Sequence, residues 1–193
     1  MHAMRQWDDG ELVAGLRAGD TAAFDAAYDA YRPRLFGFLL RLSRRRTVAE
    51  DLLDETWLRL VAHAATLRPD TRLGAWLFTV ARNLYWSYRR ASALEDEAEW
   101  MTSSQSEIPA ATPSPFELAA GAELQARVER GLGALSPQHR EVLLLVAREG
   151  LPPSEAATVC GISAEALRQR LSRARTALAR ELGMDRPARR YGT

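Results

Sequence analysis

The chain has 193 residues, 47% hydrophobic and 26% charged, which is the composition of a globular protein with one or two cores. Its net charge of +1 hides an uneven layout: residues 1–92 carry 14 Arg against 11 acids, residues 116–193 carry 12 Arg against 9, and residues 93–115 carry five acids and no base. A lone cysteine (Cys160) excludes a disulfide framework or a Cys-based zinc site within one chain, three scattered His make no ligand spacing, and no apolar run reaches membrane-span length.

The N-terminus carries no signal-peptide pattern, so a soluble protein of a reducing compartment, the cytoplasm, is expected, with no cofactor and no metal. Every base is Arg. A GC-rich genome explains that bias most simply, although Arg also suits bidentate contacts to phosphate and guanine.

In chain order, residues 8–20 predict a short helix with Leu12, Val13 and Leu16 inward and Gly19 as its stop. Asp20 or Thr21 caps a second helix carrying Phe24, Ala27, Tyr28 and Tyr31. Pro33 predicts a break or kink, after which Leu35, Phe36, Leu39, Leu40 and Leu42 continue the apolar pattern. Ser43-Arg44-Arg45-Arg46 reads as a solubilising basic turn. Thr47 and Glu50 match a capping box opening a helix that runs to about His63. Ala49, Leu52, Leu53, Thr56 and Leu60 form its buried stripe, while Asp51, Asp54, Glu55 and Leu58 share the opposite surface. Acids in the first two turns complement the helix dipole; they could equally form an acidic docking surface with an apolar centre.

A polar turn over residues 65–74 precedes the stretch LGAWLFTVARNLYWSYRR, residues 73–90. Leu77, Val80, Ala81, Leu84 and Tyr88 make its inward stripe, with Trp76, Asn83, Trp86 and Arg90 on or beside it. Arg82, Tyr85 and Arg89 are expected to point away. Rings interleaved with Arg suit a grip on single-stranded nucleic acid, in which rings stack on unpaired bases and Arg neutralises phosphate. The same residues could make a core helix with a solvated basic face. Residues 91–115, rich in Ser, Pro and acids, read as a linker in which Trp100 is out of character.

Beyond Phe116, Leu118, Leu124, Val128, Leu132 and Leu135 line an amphipathic helix. Ser136-Pro137 opens a densely apolar second one, which Gly150 ends. Pro153 to Cys160 forms a short third, broken by Gly161. Ser163 caps a fourth with Leu167, Leu171, Ala174, Leu178 and Leu182 inward and Arg168, Gln169, Ser172, Arg173 and Arg175 outward or flanking. Two helices across a Gly-containing turn, the second rich in Arg, are a helix-turn-helix signature. The expected fold is all-α: helical domains over 8–92 and 116–183, joined by a flexible acidic linker over 93–115.

The order of these motifs resembles a bacterial RNA polymerase sigma factor of the extracytoplasmic-function (ECF) group of the sigma-70 family. The similarity runs from LVAGLRAGDTAAFDAAYDAYRPRLFGFLLRL through AEDLLDETWLRL and LGAWLFTVARNLYWSYRR to LSPQHREVLLL and PPSEAATVCGISAEALRQRLSRARTAL. It implies that Asp51, Asp54, Glu55 and Leu58 dock on the clamp of core RNA polymerase. It further implies that the 66–90 segment melts the minus-ten element, with Asn83 shaping a pocket for a flipped base. Trp76, Arg82, Tyr85, Trp86 and Arg89 would stack or contact phosphate there. The second helix of the helix-turn-helix would read the minus-35 element through Arg168 and Gln169, with Arg170, Ser172, Arg173 and Arg175 beside them and the Arg side chains available to phosphates. Implied partners are core polymerase through its clamp and flap, promoter DNA and an anti-sigma factor, with no small-molecule substrate.

Three features depart from the family pattern. Ser87 stands where an acid is common, the bulky Tyr85-Trp86 pair is unusual, and Glu165-Ala166-Leu167 replaces a common Gly-Thr-Val. A stand-alone helix-turn-helix regulator would explain residues 150–182 and leave the acidic and aromatic helices without a purpose. An enzyme would need a His pair, a Gly-rich phosphate loop or a nucleophile elbow, and the sequence has none of these.

Overall fold

The computed structural model describes residues 7–96 and 117–184, with side chains over 7–93 and 123–184. Its described residues are helical without strands, in two compact units. The first is built on α1 (Asp9–Ala18), α2 (Thr21–Ser43), α3 (Arg46–His63) and α4 (Leu73–Asp96), with a single 3₁₀ turn, Ala64–Thr66, after α3. The second is built on α5 (Glu117–Ala134), α6 (Pro137–Leu143), the greater part of α7 (Pro153–Cys160), and α8 (Ala164–Glu181). Trp100 and most of the expected linker lie outside the described residues. The helical backbone of α4 runs to Asp96, into the segment expected as linker.

In the first unit, α1 is capped by the Asp8 side chain, which accepts from the Glu11 amide at 2.8 Å, while Glu11 answers back to the Asp8 amide. Gly19 closes the helix in the left-handed region, φ 75°, as expected of a C-terminal glycine. Asp20 caps α2. Of the break or kink expected at Pro33, no break occurs: α2 passes through Pro33 without interruption. Pro33 and Asp29 are both exposed, so water can serve the carbonyl that the missing donor would have satisfied. Leu35, Phe38, Leu39 and Leu42 on the covered face are buried and hold the helix together.

The Thr47–Glu50 capping box does not form. Helix α3 begins at Arg46 with no side-chain cap, and Glu50 instead pairs with Arg46 at 2.8 Å. Its stripe is as expected, with Ala49, Leu52, Leu53, Thr56 and Leu60 all buried, joined by Val48 and Trp57. The Trp57 ring lies 4.8 Å from Tyr28 and 6.0 Å from Phe24, fastening α3 to α2. Phe38 meets Phe78 edge-to-face at 5.3 Å and fixes the rotation of α4 against α2.

In the second unit, Ser136 caps α6 with Pro137 behind it. The helix then widens into a π turn over Leu144–Arg148. Arg140 is 5% exposed and lies across the C-terminal end of α5, where its guanidinium donates to the carbonyls of Leu132 (2.7 Å), Gly133 (2.8 Å) and Leu135 (2.9 Å). Those carbonyls belong to the last turn of a helix and its exit, where backbone donors run out: Leu132 also accepts from the Leu135 amide at 3.2 Å, while Leu135 has Arg140 as its donor. A Cβ on Gly131 would come to 3.0 Å of Leu178, so this glycine permits close approach of α5 and α8. Gly161 (φ 64°) turns the chain between α7 and α8, and Ser163 caps α8 by accepting from the Ala166 amide.

Candidate nucleic-acid and polymerase interfaces

The outer face of α3 is exposed along Asp51, Asp54 and Leu58, and Val61 continues it one turn further. Leu58 is 65% and Val61 62% exposed, two of the four large apolar side chains so open among the described residues. Covering either would gain roughly 1.5–3 kcal/mol of apolar burial. Glu55 is half-buried and pairs with Arg59 at 2.8 Å, so it belongs to this face with its charge partly spent. Sequence reasoning passed over Val61. Its position three residues after Leu58 on the same helical face was signal enough.

The α4 face differs from the expected one by a rotation. Leu73, Leu77, Phe78, Ala81 and Tyr85 are buried, whereas Val80, Leu84 and Tyr88 are only half-buried. Tyr85, expected to point away from the core, is 2% exposed. A ring so enclosed cannot stack on a base unless the helix repacks, so Tyr85 is a core residue. It meets the neighbouring Trp86 edge-on at 5.4 Å, and that contact orients Trp86. Trp86 is half-buried, with the Arg89 guanidinium 5.7 Å from its ring centre. Asn83 is exposed, and its side-chain oxygen accepts from Arg82 at 3.2 Å. Trp76 is half-buried near the helix start, 6.5 Å from the His63 ring at the end of α3. The rotation thus brings Arg82, Asn83, Trp86 and Arg89 to accessible positions and withdraws Tyr85.

The loop entering α4 is tied back to α1 and α2. Arg72 pairs with Asp9 at 3.5 Å, and Tyr31 donates to the same carboxylate at 3.4 Å. Burial, then the negative charge of Asp9, push the Tyr31 hydroxyl above its ordinary pKa. A Cβ on Gly74 would come to 3.1 Å of the Tyr31 ring, so a larger residue there would require the ring to give by a few tenths of an ångström.

On α8, Leu167, Leu171 and Ala174 face inward and Arg168, Gln169, Ser172, Arg173 and Arg175 are exposed. Arg170, expected to serve phosphates, is half-buried, and its guanidinium lies 4.0 Å from the fully buried Glu141 carboxylate. Its charge answers a buried acid, so it is a packing residue. The family departure at Glu165 has a visible consequence: its carboxylate accepts from Arg168 and, at 3.1 Å, from Gln169. The Arg168 hydrogen bond, then that of Gln169, hold Glu165 below the usual carboxylate pKa. Spacing of three and four residues could have suggested this grip.

Among the described residues there is no group of three His, Cys, Asp or Glu side chains that could hold a metal. No helix there is long and apolar enough to cross a membrane.

Residues 27–94 match the family model for Sigma-70 region 2, and residues 125–178 match that for Sigma-70 region 4. The chain is 33% identical over 156 residues to the ECF RNA polymerase sigma factor EcfG of Rhodopseudomonas palustris, covering 79% of this chain and 81% of that one. It is similar in fold to the sigma factor RpoE of Bartonella quintana, solved with the anti-sigma factor NepR, with a TM-score of 0.72 and 28% identity over 84% of this chain and 98% of that one. CnrH, solved with the cytosolic domain of CnrY, gives a TM-score of 0.67 and 27% identity over 92% and 99% of the two chains. Two successive sigma regions on two helical units, with a relative of this identity along most of both chains, establish that this protein belongs to the ECF group of the sigma-70 family of RNA polymerase sigma factors.

Proposed function

We propose that the work of promoter-directed initiation divides among three surfaces of this chain. The outer face of α3 docks on the clamp of core polymerase through Asp51, Asp54 and Leu58, with Val61 added and Glu55 in support. The accessible side of α4 opens the minus-ten element: Trp86 and Trp76 offer rings to unstacked bases, Arg82 and Arg89 meet phosphates, and Asn83 lines the pocket for a flipped base. Arg168 and Gln169 read base edges of the minus-35 element from α8, while Ser172, Arg173 and Arg175 hold the backbone. The second unit also meets the flap of polymerase. No bond of a substrate is made or broken by this chain, which acts by binding in the cytoplasm. An anti-sigma factor restrains it, a reading supported by the partners solved with RpoE and CnrH.

The observation that carries this reading is the exposure of Leu58 and Val61 beside two carboxylates, on the unit that also presents Trp86 against Arg89. An apolar pair left open is a surface awaiting a partner. The test is run-off transcription with core polymerase on a linear template carrying the region upstream of this protein's own gene. A discrete transcript that depends on the chain is expected, and Leu58→Asp should abolish both the transcript and co-purification with core. A tight complex with that DNA in the absence of polymerase, and no transcript in its presence, would favour a stand-alone regulator.

A further inference from the structure

We propose that the basic turn between α2 and α3, centred on Arg45, is a second DNA contact that grips the phosphate backbone of duplex promoter DNA beside the segment opened by α4. The inference rests on the reading of α4 given above. From the sequence alone the turn is a solubilising loop; its charge surroundings, its construction and its contact with α4 give it a task.

Residues 30–49 hold six Arg and no acid, and residues 71–94 hold four Arg and no acid. The two acid-free stretches meet where Arg45 Nη1 donates to the Tyr88 hydroxyl at 3.1 Å, across 43 positions of sequence. Arg89 and Arg90 are exposed on the same turn of α4 as Tyr88, so the junction concentrates positive charge that neither helix carries alone.

The turn is also built. Arg44 is the one non-glycine residue with positive φ among those described, at 58°, and its amide donates to the Leu40 carbonyl at 2.8 Å. Glycine would adopt that conformation without strain. Ser43 Oγ accepts from the Arg45 amide at 3.3 Å and donates to the Arg45 carbonyl at 3.0 Å. Arg46 stacks over Phe36 and pairs with Glu50. Arg45, between these two anchored residues, is exposed and pairs with no carboxylate among the described residues. Tyr88 fixes one edge of its guanidinium and leaves the other donors for a phosphate, the bidentate partner that this fork favours. Duplex DNA suits the site because its phosphates form a dense, regular array, and clustered Arg displaces the counterions condensed on it.

The test measures binding of assembled holoenzyme to a fluorescent duplex promoter across a salt series, with assembly on core polymerase measured separately. Arg45→Ala should flatten the slope of log affinity against log salt by about 0.9, so that affinity falls about 3.5-fold less between 50 and 200 mM salt. Arg45→Lys should restore the slope, and assembly and melting temperature should not change. An unchanged slope for Arg45→Ala overturns the proposal, as does a loss of assembly with the slope intact, which would give the turn to an acidic protein surface. A lowered melting temperature with an unchanged slope would make the Tyr88 bond purely structural and also overturn it. If holoenzyme carrying the unaltered chain leaves the minus-ten thymines of that promoter unreactive to permanganate, the reading of α4 fails, and the two failures are thereby told apart.

Discussion

Arg140→Met isolates the physical device that ends α5. The substitution keeps an apolar stem of similar reach and removes three hydrogen bonds to carbonyls, of which Leu132 and Leu135 belong to buried residues. Leaving a buried acceptor without a donor costs about 1–3 kcal/mol. Leu132 keeps the Leu135 amide as a donor at 3.2 Å, so one buried acceptor, Leu135, is orphaned at about 1–3 kcal/mol, reduced because the buried Arg charge itself no longer has to be desolvated. A net loss of about 1–2 kcal/mol follows. For a unit of this size each kcal/mol moves the melting midpoint by about 4–8 °C, so a fall of about 4–16 °C is expected. All five Trp lie at or before residue 100, so Trp emission monitors the first unit, while circular dichroism at 222 nm monitors the helices of both. The early transition should therefore appear in circular dichroism, with Trp emission as the internal reference. A drop below about 1 kcal/mol would refute the capping argument, because water would then be serving those carbonyls as well as Arg140 does.

Tyr85→Ala should cost about 3–5 kcal/mol as a core truncation and lower the Trp-emission midpoint, while Trp86→Ala, at a half-buried position, should cost clearly less. Equal losses would return Tyr85 to the surface. Arg168→Ala should relax the preference at one base pair of the minus-35 element, with a cost of about 1–3 kcal/mol on the preferred sequence, whereas Arg175→Ala should weaken all sequences alike; gel-shift titration on cognate and scrambled duplexes separates the two. Ultraviolet titration of tyrosinate should find Tyr31 ionising above the ordinary value near 10. Because its folded pKa is raised, the stability it contributes is complete below the unfolded pKa and is lost as pH rises through the folded one; Asp9→Asn should bring the titration down.

Most helices were legible because their signals are local. The stripe of α3, the Ser136 and Ser163 caps and the stop at Gly19 each depend on residues within a turn or two. The phase of α4 was not legible. Phe78, Val80, Leu84, Tyr85 and Tyr88 spread apolar groups over nearly half the circumference of that helix, so stripes of different phase satisfy the period, and the Phe38 contact from another helix selects among them. Pro33 does not break α2 because the well-buried face opposite it holds the helix together. The capping box at Thr47 failed because α3 starts at Arg46 with Arg45 at its N-cap, which puts Thr47 inside the first turn. Arg140, Arg45 and Arg170 each find partners through the fold: at α5, at Tyr88 and at Glu141. Such pairings have no period, and only the folded chain reveals them.

The claim for α4 stands or falls on permanganate footprinting of minus-ten thymines with holoenzyme carrying Trp86→Ala. Unstacking a base costs a few kcal/mol, which stacking on a ring offsets in part, so loss of the ring should spare closed-complex formation and reduce thymine reactivity on duplex promoter. On a template already melted over the minus-ten element, the same variant should recover most of its transcription. Equal defects on duplex and pre-melted templates, with a lowered melting temperature, would contradict the assignment and leave Trp86 as a packing residue.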